Sequence, residues 1–292
     1  MVHSNARHEA VQRMLDVLDL ADTGARTRED IFTGHSEPSP AGRVFGGQVL
    51  AQAVVAASRT IDDRPIHSMH GYFLRPGDLV EPITFAVDRI HDGRSFSTRR
   101  TQAYQHGLPI LSMIASFQEE QSGFEHQASM PDGVPDPDSL PSTDDLFADI
   151  DHPAAEAVRA RPFEIRHTEH PIYLPHTSAS AQQALWIRAA APLPDDPALH
   201  RAALAYASDF ALLEPVLRAH GLFWAMPGLK VASLDHAMWW HRPTRADEWL
   251  LFVQQSPSAQ GGRGLAQALV FSRDGTLVAS VAQEGTVRAP RE

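Results

Sequence analysis

The chain has 292 residues, with 25 Lys and Arg against 36 Asp and Glu, for a formal charge of −11. At 43% hydrophobic and 21% charged it has the composition of a globular protein, one large domain or two small ones, and its acidity argues against a broad nucleic-acid-binding face. Cysteine is absent, which excludes disulfides, thiolate metal sites, iron–sulfur ligation and a cysteine nucleophile.

The opening segment MVHSNARHEAVQRMLDVLDL lacks the basic start and long apolar run of a secretory leader. Its Val11, Met14, Leu15 and Leu18 recur at helical spacing, which predicts an amphipathic helix packed on the body. A short strand around residues 31–33 is followed by a second predicted helix in VFGGQVLAQAVVAASRT, with Val49, Ala53, Val54 and Ala57 on one face. The apolar run within it is far below the ~20 residues of a membrane span, so a cytoplasmic protein without a membrane partner is expected. From Met69 the pattern becomes strand, Pro-containing bend, strand, Gly turn, strand, His106-Gly107 turn, strand, which reads as a meander.

Residues 119–161 are rich in Pro, Asp and Ser and read as a linker, with a short helix near Leu146 or Ala154. Beyond it come a strand around residues 185–189 and one long helix over ALHRAALAYASDFALLEPVLRAHG, stopped by Gly221. A second meander starts at His236. It repeats the first: Arg75-Pro76 matches Arg242-Pro243 at 242 − 75 = 167, and His106-Gly107 matches Asp274-Gly275 at 274 − 106 = 168. A helix feeding a curved antiparallel sheet, twice over, predicts an α+β double hotdog. The expected units are residues 1–118 and 162–292, joined by the 119–161 linker.

No G-x-S-x-G elbow and no G-x-x-x-x-G-K-[ST] loop occurs, which argues against an α/β-type serine hydrolase and P-loop chemistry. The best histidine cluster, His236 and His241, spans five strand positions, so the two face opposite sides and no metal site is expected.

The duplication supplies an internal control. Aligning Phe45 with Tyr206 sets Gln48 opposite Asp209, the strand offset sets Ile66 opposite Ser233, and Ala115 or Ser116 faces Gln283. The second half carries groups able to do chemistry where the first has an amide, an apolar residue and a small one. A curled sheet around a helix could bring a helix carboxylate to side chains from two strands.

The blocks VFGGQVLAQAV, HSMHGYFLRPGD, DGRSFSTRR, GFEHQ, YASDFALLEPVLRAHG, ASLDHAMWWHRP, DEWLL, DGTLVAS and VAQEG, in this order and over nearly the whole chain, resemble the bacterial acyl-CoA thioesterase II family. The resemblance implies a double hotdog that hydrolyses medium- to long-chain fatty acyl-CoA, assembles as a homodimer or homotetramer and needs no cofactor. It implies a catalytic set of Asp209 in YASDF, Ser233 in ASLDH and Gln283 in VAQEG. Ser233 stands where the family commonly has Thr, which keeps the hydroxyl and loses the stiffness of a β-branched side chain. In that reading the trio holds a water, Asp209 takes its proton or attacks directly, and a backbone N–H at a helix start polarises the carbonyl. Phe210, Leu213 and Trp239 are expected to line an apolar tunnel for the acyl tail, and Arg75, Arg99 and Arg263 to meet the CoA phosphates. The competing readings are a hotdog enoyl-CoA hydratase or dehydratase and a non-catalytic acyl-CoA-binding regulator.

Overall fold

The computed structural model describes residues 2–25, 27–39, 42–147, 158–173, 175, 177 and 179–290. Helix α1 (Val2–Leu18) turns Val11, Met14 and Leu18 inward onto α2 (Gly46–Ser58), as their spacing requires. Helix α2 is apolar almost all round and buried, with Val49, Leu50, Ala53 and Val54 in the core. Around it run β2 (Asp30–Gly34), β3 (Ile66–Phe73), β4 (Ile83–Asp92), β5 (Phe96–Gln105) and β6 (Leu108–Gln118), preceded by the two-residue β1 (Ala21–Asp22). The β5–β6 hairpin turns at His106 and Gly107, whose φ values of 49° and 72° give the left-handed pair a tight hairpin needs.

The C-terminal unit repeats the plan with β7 (Phe163–His167), β8 (Gln182–Ala189), β9 (Lys230–Ser233), β10 (Asp235–Trp240), β11 (Leu250–Gln260), β12 (Arg263–Ser272) and β13 (Leu277–Arg288). One antiparallel sheet runs β1-β2-β4-β5-β6-β3-β10-β13-β12-β11-β8-β7, with β9 paired to β13. The two units therefore join edge to edge through β3 and β10, closing the strand edge that each would otherwise expose. His70 pairs with Ala237, its own equivalent at the 167-residue offset, while Ser68 pairs with Trp239 and Tyr72 with Asp235. A pseudo-twofold axis thus passes through the His70–Ala237 pair, and the architecture is a double hotdog.

The long second helix expected from the sequence is two helices instead. Short α3 (Thr143–Leu146) precedes them in the connection between the units. Helix α4 (Pro197–Ser208) starts on Asp196, whose side chain accepts from the Ala198 N–H at 2.8 Å with Pro197 in the first turn. It ends at Asp209, and α5 (Glu214–Ala219) begins only after Leu213. Pro215 explains the interruption, because a proline has no N–H to return to residue 211 and its ring crowds a continuing helix. Gly221, at φ 64°, ends the second piece as expected.

The linker is strapped to the C-terminal unit. Trp186 Nε1 donates to Pro135 O at 3.0 Å, Gln127 bonds Gly275 O and the Leu277 N–H, and Arg273 pairs with Asp136 and Asp138. Met130, Val134 and Leu140 pack on Trp186, Trp249 and Phe271 across the outer face of the sheet. The expected helix near Leu146 is α3, and Ala154 lies outside the described residues.

Candidate active site

The break between α4 and α5 leaves Asp209 on the rim of a cavity rather than inside a helix. Its Oδ1 accepts from Gln283 Nε2 on β13 at 2.6 Å and from Ser233 Oγ at the end of β9 at 3.2 Å. The backbone N–H of Gly47, in the first turn of α2, donates to the same carboxylate. So the structure gathers three residues separated by 24 and 74 positions, and adds the start of the N-terminal unit's helix to them.

The Gly46-Gly47 pair is what permits this approach. A Cβ on Gly47 would lie 2.5 Å from Tyr206 O, and one on Gly46 would lie 2.7 Å from Asp209 Oδ2. The doublet in VFGGQV is the sequence signal for such a close helix contact.

Burial pushes the Asp209 carboxyl up from 3.8 to about 6, against the pull of Gln283, Ser233, the Gly47 N–H and the nearby Arg43. Gln283 is 1% exposed, and its Oε1 is buried with no partner among the described residues. The site therefore holds a carboxylate whose charge is costly but braced by donors, beside an amide oxygen with accepting capacity left.

The cavity at Asp209 has a volume of about 390 Å³ and is walled chiefly by apolar side chains, Phe45, Val49, Phe73, Phe210, Leu213 and Trp224 among them. Phe210 stacks on Phe45 with ring centroids 4.6 Å apart. A second hollow adjoins it and shares Arg43, Arg75, Pro76, Gly77 and Ile110, then continues past Asp78 and His106. Arg43 bonds Val231 O at 3.2 Å and Arg75 bonds Pro109 O at 2.7 Å, so both guanidinium groups sit at the junction of the two hollows.

Of the nine residues singled out from the sequence, Asp209, Ser233, Phe210, Leu213 and Arg75 line the cavity, and Gln283 bonds Asp209 from behind it. Trp239 does not reach it. Its neighbour Trp240 enters the core, so strand alternation turns Trp239 to the outer face, where its ring meets His70 edge-on at 5.1 Å. Arg99 is 2% exposed and held by Thr60, Asp92 and His91 O within the N-terminal unit, too deep to meet a phosphate. Arg263 pairs with Glu284 at 3.1 Å and lies outside both hollows. Arg43 and Trp224 were not singled out from the sequence, since neither falls in the chemistry-bearing part of a motif.

His236 and His241 stand apart from the Asp209 cavity. His236 is buried with Nε2 2.9 Å from Ser208 Oγ, and burial pushes it down to about 3, so it is neutral near pH 7. His241 bonds Ser280 Oγ at 2.9 Å. Among the described residues no three His, Asp or Glu side chains converge to hold a metal, and no helix is long and apolar enough to cross a membrane.

Comparison with known proteins identifies the family and the fold. A family model described as acyl-CoA thioesterase matches residues 156–286, and one described as acyl-CoA thioesterase N-terminal domain matches residues 35–118. Acyl-CoA thioesterase 2 of Haemophilus influenzae is 40% identical over 265 residues, covering 88% of this chain and 92% of that one. The crystal structure of an acyl-CoA thioesterase II from Mycobacterium marinum matches with a TM-score of 0.78 at 44% identity, over 95% of this chain and 98% of that one. A hot dog-fold protein from Alicyclobacillus acidocaldarius, at 18% identity and a TM-score of 0.77 over 96% and 99% of the two chains, shares the fold. The molecule is thus a thioester hydrolase built on a double hotdog. The chain belongs to the acyl-CoA thioesterase II family.

Proposed function

We propose that this chain hydrolyses medium- to long-chain fatty acyl-CoA to free fatty acid and CoA, at Asp209, Ser233 and Gln283. The observation that carries the assignment is the convergence of Gln283 Nε2 and Ser233 Oγ on one oxygen of Asp209 at the wall of an apolar cavity. A water entering this corner from the cavity donates one hydrogen to Asp209 and the other to Ser233 Oγ, which lines the same cavity, while Gln283 braces the carboxylate from behind. As Asp209 takes the proton, the water oxygen bonds the thioester carbon. The first turn of α2 is the electropositive backbone against which the carbonyl oxygen develops its charge. The C–S bond then breaks, and the CoA thiolate leaves toward the hollow lined by Arg43 and Arg75. Direct attack by Asp209 on the thioester carbon, forming an anhydride that water then opens, is the rival route, and it uses the same carboxylate. An acyl-Ser233 intermediate lacks a base other than Asp209, as His236 is turned into the core.

Self-association as a homodimer or homotetramer belongs to the same reading. Tyr72 and Ile114 stand exposed on the outer face beside the β3–β10 seam, an apolar surface that a second copy would cover.

The test is catalytic turnover of the purified chain on palmitoyl-CoA with a thiol-detecting reagent, run beside crotonyl-CoA followed at the enoyl absorbance. Thiol release with no loss of the enoyl signal is expected. Hydration without thiol release would favour the hydratase reading, and calorimetric binding with neither reaction would favour the regulator.

A further inference from the structure

The two ends of the hollow at Asp209 differ in chemistry. One end opens past Arg43 and Arg75 into the second hollow. The part of its wall away from the second hollow is apolar and includes Phe210, Leu213 and Trp224, none of which touches the second hollow. A thioester carbonyl at Asp209 with its phosphates toward the arginines therefore sends its acyl tail toward Trp224.

The half-buried indole of Trp224 is held by several partners. Its Nε1–H donates to Glu214 Oε1 at 2.9 Å. Glu214 is 1% exposed, and its other oxygen accepts from Gln183 Nε2 at 3.0 Å and lies 3.0 Å from His167 Nε2. Burial raises the Glu214 carboxyl, but His167, Trp224 and Gln183 together hold it below its ordinary value, so it stays an acceptor for the indole. The Trp224 and Ala225 N–H groups bond Ile172 O and Tyr173 O at 2.9 and 3.2 Å. Behind the ring lies the Phe147–Tyr173 aromatic pair. A side chain held by a buried carboxylate, two backbone bonds and an aromatic backing does not swing aside for a longer ligand.

We propose that Trp224, pinned by Glu214, is the end wall of the acyl pocket and sets the longest tail the enzyme accepts. The inference rests on the acyl-CoA reading above and names the residue that limits the substrate within it.

The experiment measures kcat/KM for the full chain over saturated acyl-CoAs from butanoyl to stearoyl, by thiol release, for the parent, Trp224→Ala and Trp224→Phe. Removing the indole opens the pocket toward Phe147 and Tyr173. The ratio of long-chain to short-chain kcat/KM should rise about tenfold or more in Trp224→Ala, the scale on which apolar pockets discriminate. Trp224→Phe, smaller and without the N–H, should shift the same ratio by less, and it decides the matter if the alanine variant does not fold. Variants that rescale every chain length by one factor would overturn the proposal while leaving the hydrolase reading intact. A parent chain that releases no thiol from any acyl-CoA would instead overturn the hydrolase reading, and this inference with it.

Discussion

Gln48 and Asp209 occupy the same place in the repeated plan, 161 residues apart, and meet opposite surroundings. Gln48 lies within the first turn of α2, 1% exposed, and its polar atoms are all engaged: Nε2 donates to His35 O and Gln52 Oε1, and Oε1 accepts from the Glu37 N–H. Asp209 sits in a gap between helices, on a cavity, with its charge held by donors from three elements. The partners differ in the same sense. Opposite Ser233 the N-terminal unit has buried Ile66, and opposite Gln283 buried Ala115. The proposed site needs its chemical groups in one unit, while both units need the seam and the core. In the N-terminal unit the position is a saturated polar link between α2 and the preceding loop.

Alanine at the two positions should separate these roles most sharply. Asp209→Ala is expected to lower kcat by about 10²–10⁴, the range for losing a positioned acid–base group, with the fold retained. Gln48→Ala should leave turnover near that of the parent and lower unfolding stability by about 1–3 kcal/mol, because the Glu37 N–H and Gln52 Oε1 lose a buried partner. Thiol release and urea unfolding on both variants test the contrast; equal activity losses would abolish it. Gln283→Ala removes the 2.6 Å donor to Asp209 and is expected to reduce kcat by about 10², comparable to deleting one preorganised donor. Unchanged kcat in that variant would leave Gln283 a structural amide like Gln48.

The smallest effect is on stability. The Asp209 carboxyl titrates at about 6 when folded and near 3.8 when unfolded, so the folded state holds its proton more tightly. The stability linked to that proton is fully present below about pH 4 and is lost as pH rises through about 6. By pH 8 the buried charge costs roughly 1–3 kcal/mol. Asp209→Asn, which cannot ionise, should match the parent in Tm at pH 4 and exceed it at pH 8. A difference independent of pH would mean that the carboxyl is not shifted upward.

Much of the plan was legible because it is periodic. The 3.6-residue spacing of Val11, Met14 and Leu18 and the paired turns at His106-Gly107 and Asp274-Gly275 are local signals, and the repeat made them count twice. Asp209, Ser233 and Gln283 were found by comparing the halves and by family resemblance, not by spacing, since only tertiary folding brings residues 24 and 74 positions apart together. What stayed hidden depends on direction and depth. Trp239 and Trp240 look alike in a sequence, and the pleat alone decides which enters the core. Arg99 reads as a surface cation until Thr60 and Asp92 are seen around it. Pro215 was visible and its meaning was missed: a helix-breaking residue within an apolar helical pattern marked the gap that exposes Asp209.

Hydrolysis in the proposed reading depends on an ionised Asp209 in the C-terminal unit alone. The pH dependence of kcat/KM on a single acyl-CoA, from pH 5 to 8, tests it most directly. The expected curve rises with one ionisation near pH 6, where burial has moved this carboxyl, and is level above it. A profile flat across that range, or one that falls as pH rises through 6, would contradict the account.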